Sequence, residues 1–190
     1  MAGMEHEEYA IILDFLPYGY PFDTRPMHRK SSVAQAVGKK YFFLLELIPK
    51  KGINLQPGDE VYIGSGKRDH VHHILGRITT EKLTQTAKNE LEVFLKKLVE
   101  NNEQKFVHFF NVAGPINTRR HQLELLPGVG KKHMWEILER REEKKFESYK
   151  DIRDRVRLMP DPEKAVLKRI MMELSGEDKH RIFVGSHDER

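Results

Sequence analysis

The sequence predicts an α+β fold, with a small N-terminal β-barrel over residues 1–81 followed by an all-helical module. Three observations predict it. Short apolar runs broken by turn residues fill the chain from Tyr9 to Thr79, which is the signature of strands. Apolar residues then recur at helical spacing from Leu91 onward. No Gly/Ser/Pro-rich linker separates the two stretches.

Five strands are expected. Tyr9–Phe15 is the first and Val33–Val37 the second, by alternation. Tyr41–Ile48 follows the turn Gly38-Lys39-Lys40. Leu55-Gln56-Pro57-Gly58-Asp59 turns the chain into Glu60–Ile63, and His72–Thr79 follows the loop Ser65–Asp69. So many short strands without a long helix suggest a closed barrel of OB-like or SH3-like type, with a sandwich fragment or an open sheet as alternatives. Connecting helices span 82–116. Leu91, Phe94, Leu95 and Leu98 form one stripe, and Phe106, Phe109, Phe110 and Ala113 a second that stops at Gly114-Pro115. That spacing assigns these aromatics to the core and not to base stacking.

The 190 residues include no cysteine, 38% hydrophobic and 33% charged residues. Disulfides, cysteine-ligated metals and thiol catalysis are thereby excluded. No apolar run approaches about 18 residues, which argues against a membrane span, and the acidic start Met1–Tyr9 is unlike a secretory signal. A cytoplasmic protein is expected. The net charge of +4 and pI of 9.1 are only weakly basic. Most of the excess falls after Thr118, so any nucleic-acid reading rests on where the cations lie.

The sharpest local signal is Leu125-Leu126-Pro127-Gly128-Val129-Gly130-Lys131-Lys132, in residues 117–176. A helix capped by Asn117 or Thr118 is expected before it, and a helix from Lys131 to about Arg141, burying Met134, Ile137 and Leu138, after it. Pro127 would end the first helix and the two glycines permit a tight turn. The amides of Gly128, Val129 and Gly130 would then point outward at a positive helix end and hold one phosphate, with Lys131 and Lys132 beside it. A second, degraded copy follows. Ser148 would cap a helix through Val156, Leu158–Pro162 would form a corner, and a helix from Glu163 to Leu174 would bury Leu167, Ile170, Met171 and Leu174. This corner has no glycine, and Asp161 would repel a phosphate. It reads as a packing partner, with Lys164, Lys168 and Arg169 as peripheral contacts. Residues 177–190 read as a loose tail or a short added strand.

The Leu126–Lys132 run resembles the helix-hairpin-helix motif, and the repeat makes the module similar to the tandem helix-hairpin-helix domain, in which paired hairpins address the two strands of a duplex. Barrel and hairpins together resemble an archaeal family of uncharacterised proteins expected to bind RNA or other nucleic acid. That resemblance implies an archaeal cytosolic protein with no established activity.

Further cations and rings occupy the barrel loops. Tyr18, Tyr20 and Phe22 precede Arg25, His28, Arg29 and Lys30, a pairing suited to single strands, or else a rigid turn tucked onto the barrel. Lys67 and Arg68 join His70, His72 and His73 in a charged lip. His70 and His72 would face one side of a strand with Asp69 nearby, but no further ligand cluster supports a metal, and none is assigned. No cofactor is assigned either.

The expected function is non-catalytic gripping of a nucleic-acid backbone, structured RNA slightly favoured over duplex DNA. The expected binding residues are Gly128, Val129, Gly130, Lys131, Lys132, Lys67, Arg68, Arg29 and Lys30. One alternative is a protein–protein assembly module. A less favoured one follows from similarity to helix-hairpin-helix glycosylases, through Lys132 and Asp151. Asp151 falls inside an amphipathic helix, however, and the β-rich first half lacks the helical lobe that walls a flipped-base pocket.

Overall fold

A computed structural model describes residues 6–185. The fold is mixed α+β, with a strongly curled five-stranded antiparallel sheet and five α-helices among the described residues. The described residues form two compact units, one from residues up to Phe94 together with those from Glu173, the other from Leu95–Met172.

In the first unit the strands are β1 (Tyr9–Leu16), β2 (Val33–Gly38), β3 (Leu44–Pro49), β4 (Glu60–Tyr62) and β5 (Val71–Arg77), in spatial order β4-β1-β2-β3-β5. Ile12 lies opposite Ala36, Ala34 opposite Leu47, and Leu45 opposite Arg77. Alternation sends Ala10, Ile12, Ala34, Ala36, Leu45 and Leu47 into one core with Val61, Ile63 and Val71. Each large aliphatic side chain buried there contributes about 1.5–3 kcal/mol. Register shifts between Ile12 and Asp14, and twice along β3, bend the sheet, as bulges do. No ladder joins β4 to β5 among the described residues, so the sheet is a half-barrel with an open seam. The closed barrel expected from the strand count is not formed among the described residues; the sheet stays open between β4 and β5.

The third strand begins at Leu44 instead of Tyr41. Phe42 has φ +61°, and the preceding turn is held by the buried carboxylate of Glu7, which accepts from the amides of Lys40, Tyr41 and Phe43 at 2.9, 2.7 and 3.4 Å. On the other face of the sheet the fully buried Gln35 side chain donates to the Lys82 carbonyl and accepts from the Thr84 amide, each at 2.9 Å. Thr84 in turn caps α1 (Gln85–Asn101), its hydroxyl accepting from the Ala87 amide at 3.0 Å.

The second unit contains α2 (Glu103–Val112), α3 (Lys131–Glu143) and α4 (Tyr149–Arg155), the last capped by the Ser148 hydroxyl, which accepts from the Asp151 amide at 3.0 Å. α5 (Pro162–Ser175) crosses from this unit into the first. Side chains tie loops to helices. Asn111 exchanges two hydrogen bonds with the Phe146 backbone, at 2.8 and 2.9 Å, and Arg141 donates to the carbonyls of Phe110 and Ala113.

Three further sequence expectations are corrected. The helix expected to start at Asn117 or Thr118 is replaced by a small hairpin, β6 (Pro115–Asn117) with β7 (Arg120–His121), and one 3-10 turn, Gln122–Leu125. His121 caps that turn, accepting from the Leu123 amide at 3.1 Å, and this leaves too few residues for an α-helix. The buried face of α5 is also rotated. Ala165, Val166, Arg169, Ile170 and Glu173 are buried, whereas Leu167, Met171 and Leu174 are only half-buried. Finally, the stretch after α5 is no loose tail as far as Gly185. Ile182, Phe183 and Val184 are buried, and the Gly185 amide donates to the Tyr41 carbonyl at 2.9 Å, nearer to the added strand considered as the alternative. The last five residues of the expected 177–190 tail lie outside the described residues.

Glu173 explains that ending. Its buried carboxylate accepts from the amides of Ile182, Phe183 and Val184 at 2.8, 3.0 and 2.8 Å. Replacing Glu173 with alanine strands three buried donors, each costing about 1–3 kcal/mol. The expected result is a loss of about 3 kcal/mol or more in urea unfolding, with fast amide exchange confined first to residues 182–184.

Among the described residues no helix is long and apolar enough to cross a membrane.

Candidate nucleic-acid interface

The loop Leu126–Gly130 is shaped by one position. Gly128 has φ +82°, and a Cβ there would lie 2.7 Å from the Pro160 ring of the second corner. Only glycine meets both demands without strain. Gly130 is different. It is the extended N-cap of α3, at φ −94° and ψ −175°, and a Cβ would meet nothing within 4 Å.

The donors also differ from the sequence expectation. The Val129 amide is consumed by the turn, donating to the Leu126 carbonyl at 3.0 Å, and the Val129 side chain is buried. The Gly130 amide makes a long contact of 3.4 Å to His133 Nδ1. The first intrahelical bond of α3 runs from the Met134 amide to the Gly130 carbonyl at 3.0 Å. The open donors are therefore one step further on, the first-turn amides of Lys131, Lys132 and His133, which have no helical acceptor. Gly130, Lys131 and Lys132 are all exposed, so the amides and both ammonium groups face solvent at the positive end of a 13-residue helix.

Trp135 stands beside them. It is 65% exposed, one turn along α3 from Lys131 and off the buried Met134–Ile137 side. The sequence reading passed over it, although its place outside the Met134/Ile137/Leu138 stripe was the signal that it faces water.

The second corner repeats the first in outline and reverses its charge. Leu158 takes the left-handed conformation at φ +54° and is 95% exposed. Asp161 fills the helix end itself, accepting from the amides of Glu163 at 3.0 Å and Lys164 at 3.4 Å, and it faces Arg153 at 3.4 Å. An anion site at α5 is thus already occupied by a carboxylate. Lys164 and Lys168 are exposed, but Arg169 is 1% exposed and donates to the Leu125 carbonyl at 3.2 Å. Arg169 therefore supports the first hairpin from behind and is no peripheral contact. Asp151, the aspartate of the glycosylase comparison, accepts from the Glu147 amide and from Arg155, each at 3.1 Å.

The imidazole of His121 is driven below its ordinary pKa of 6.5 by burial and, next, by the Arg141 charge. Its Nδ1 acts as an acceptor, which requires the neutral ring. A depressed folded pKa means stability that is present above 6.5 and is lost as the pH falls from there through the folded pKa. Urea unfolding between about pH 7.5 and about pH 5.5 is expected to show that loss, and His121→Asn, which keeps a capping oxygen, is expected to remove most of it.

In the first unit the loop between β1 and β2 carries both kinds of ring considered for it. Tyr20 is tucked onto the sheet. Its hydroxyl donates to Glu46, accepts from Gln35 at 3.1 Å, and is pushed up to about pKa 12 by burial and the Glu46 carboxylate. Phe22 stacks on Tyr20 at 4.9 Å but is 73% exposed, and Tyr18 is exposed as well. Arg25 is engaged by Asp23 at 2.8 Å. Arg29 is exposed and Lys30 half-buried. In the loop between β4 and β5, Lys67 is exposed and Arg68 donates from Nε to the Gly64 carbonyl at 2.8 Å. Lys50 donates to the Arg68 carbonyl, joining that loop to the end of β3. The rings of His72 and His73 meet edge to face at 5.1 Å, and among the described residues no three His, Asp or Glu side chains gather as metal ligands. The expected binding residues thus fall into two groups, the hairpin in the second unit and the four loop cations in the first.

A family model described as protein of unknown function (DUF655) matches residues 6–185. The chain is 46% identical over 180 residues to the uncharacterized protein MJ0038 of Methanocaldococcus jannaschii, covering 94% of this chain and 80% of that protein. The crystal structure of Af1531 from Archaeoglobus fulgidus, assigned to the same family, is similar with a TM-score of 0.82 and 47% identity, covering 94% of this chain and all of that one.

Proposed function

We propose, for a chain that belongs to the DUF655 family, a non-catalytic protein that grips the phosphate backbone of nucleic acid without reading its bases, RNA slightly favoured over DNA. The observation that carries this reading is the start of α3, where the first-turn amides of Lys131, Lys132 and His133 precede the first intrahelical bond, beside the exposed Lys131, Lys132 and Trp135. Backbone donors at a positive helix end suit a phosphate. Nothing in Gly128-Val129-Gly130 reads a base edge.

Two finer assignments support it. The strand order β4-β1-β2-β3-β5, with the sheet open between β4 and β5, supports reading the first unit as an opened OB-type barrel. In such barrels the loops joining the first and second strands and the fourth and fifth carry oligonucleotides, and those loops hold Arg29, Lys30, Lys67 and Arg68 here. The paired corners, each with one left-handed residue before a helix, suit a helix-hairpin-helix pair with one functional member. The engagement of Asp151 by Glu147 and Arg155 supports the non-catalytic reading.

The test is a salt titration of binding to duplex DNA, duplex RNA and a structured RNA in several sequences. Affinities that fall linearly with log salt and differ little between sequences support the proposal. No binding to any of them at physiological salt would overturn it in favour of assembly.

A further inference from the structure

A second basic feature lies wholly within the first unit. The end of β1, the start of β2, the segment after β3 and the start of β5 enclose a cleft of about 760 Å3. Lys30, Lys50, Lys51 and His72 line it over an apolar floor that includes Phe15 and Ile53, and no carboxylate lines it at all. In a chain with 29 acidic residues against 33 Lys and Arg, a concave wall of one charge sign concentrates field on its contents. Such a wall, open and deep, suits a chain of phosphates.

The apolar floor and the rings carried on the same loop narrow the choice. The loop that supplies Pro17 and Lys30 to the cleft also presents Tyr18 and Phe22, 64% and 73% exposed. Phe22 is backed by Tyr20 at an interplanar angle of 11°, a rigid stack with one face open. Duplex bases hide their faces in the helix, whereas single-stranded bases are free to stack on such a ring. A lipid surface is flat and would not fill a cleft.

We propose that this cleft binds the phosphates of a single-stranded segment of nucleic acid through Lys30, Lys50 and Lys51, and that the segment continues along the loop between β1 and β2 to lay an unstacked base against Phe22, outside the cleft. Lys50 also positions the loop between β4 and β5 through the Arg68 carbonyl, so the cleft and the Lys67–Arg68 lip are one continuous edge. This rests on the nucleic-acid reading above but not on the hairpin, which lies in the other unit.

The test uses the full chain, a labelled oligo-dT and oligo-U of about twelve nucleotides, near the single-strand site size of one small barrel, and a blunt duplex. The double variant Lys30→Ala/Lys51→Ala is expected to lower the single-strand affinity about ten-fold or more relative to the duplex affinity. It is also expected to flatten the single-strand salt slope by about 1.4, near 0.7 per lost phosphate contact. Phe22→Ala is expected to weaken the oligonucleotide several-fold with the slope unchanged, the signature of stacking and not of charge. Lys131→Ala/Lys132→Ala is expected to act mainly on the duplex. An unchanged single-strand affinity and slope in the Lys30/Lys51 variant would overturn the proposal, as would displacement of the oligonucleotide by tripolyphosphate as readily, phosphate for phosphate, as by unlabelled strand. If the cleft variants behave as expected while Lys131→Ala/Lys132→Ala changes nothing, the hairpin reading fails and the cleft stands.

Discussion

Replacing Lys131 and Lys132 together with alanine lowers affinity on every duplex sequence alike and flattens the log–log salt dependence by about one to two units. Each phosphate contact on duplex DNA contributes roughly 0.9 to that slope, and both side chains are exposed beside open helix amides. The fold is expected to survive, since neither side chain is buried. The matching change at the second corner, Lys164→Ala, is expected to do much less, because the Asp161 carboxylate already accepts from the Glu163 and Lys164 amides. A salt titration of the two variants and wild type decides it, and unchanged slopes in the Lys131/Lys132 variant would sink the phosphate socket.

The two hairpin glycines are expected to respond in opposite ways. Gly128→Ala forces a Cβ to within 2.7 Å of Pro160 at φ +82°. The strain of the left-handed backbone and the clash together cost about 2–4 kcal/mol. Gly130→Asp meets no obstacle, since the backbone is already extended and the space is open. It would install at α3 the carboxylate cap that Asp161 gives α5, gaining about 0.3 kcal/mol, since glycine is already a tolerable cap, while placing a negative charge where the phosphate should sit. Chemical denaturation is expected to show the first variant weakened and the second strengthened. Backbone binding is expected to collapse in the second. Undiminished binding by Gly130→Asp would mean that the amides of α3 do not hold phosphate.

The parts of this fold visible in the sequence are those decided locally. The apolar run Tyr9–Phe15 and the alternation along Val33–Val37 located β1 and β2, and Ser148 announced α4 because a hydroxyl cap is a property of a few adjacent residues. What was hidden depends on distant partners. Arg169 reads as a surface cation until the Leu125 carbonyl supplies an acceptor 44 residues away. The replacement of a helix by β6 and β7 turns on His121, whose cap on Gln122–Leu125 competes with helix extension. At the candidate site the motif located the hairpin, but spacing alone could not distinguish an amide spent on the turn, at Val129, from amides left open at Lys131 and Lys132. Lys50 and Lys51 were invisible as a site because the residues facing them come from three other segments of the chain.

The clamp of Glu173 on Ile182, Phe183 and Val184 bears on the order in which this chain is made. The half-barrel is begun by some of the earliest residues but includes those from Glu173 onward, while Leu95–Met172 form a unit from one uninterrupted stretch. During synthesis the hairpin unit has all of its residues first, whereas the first unit gains the segment that bonds the Tyr41 carbonyl through Gly185 only at the end. Through that interval the apolar surface due to be covered by Ile182–Val184 is open to solvent. Premature release before that point yields a nascent polypeptide with a finished helical part and an uncovered sheet, the kind of species that chaperones and proteases recognise.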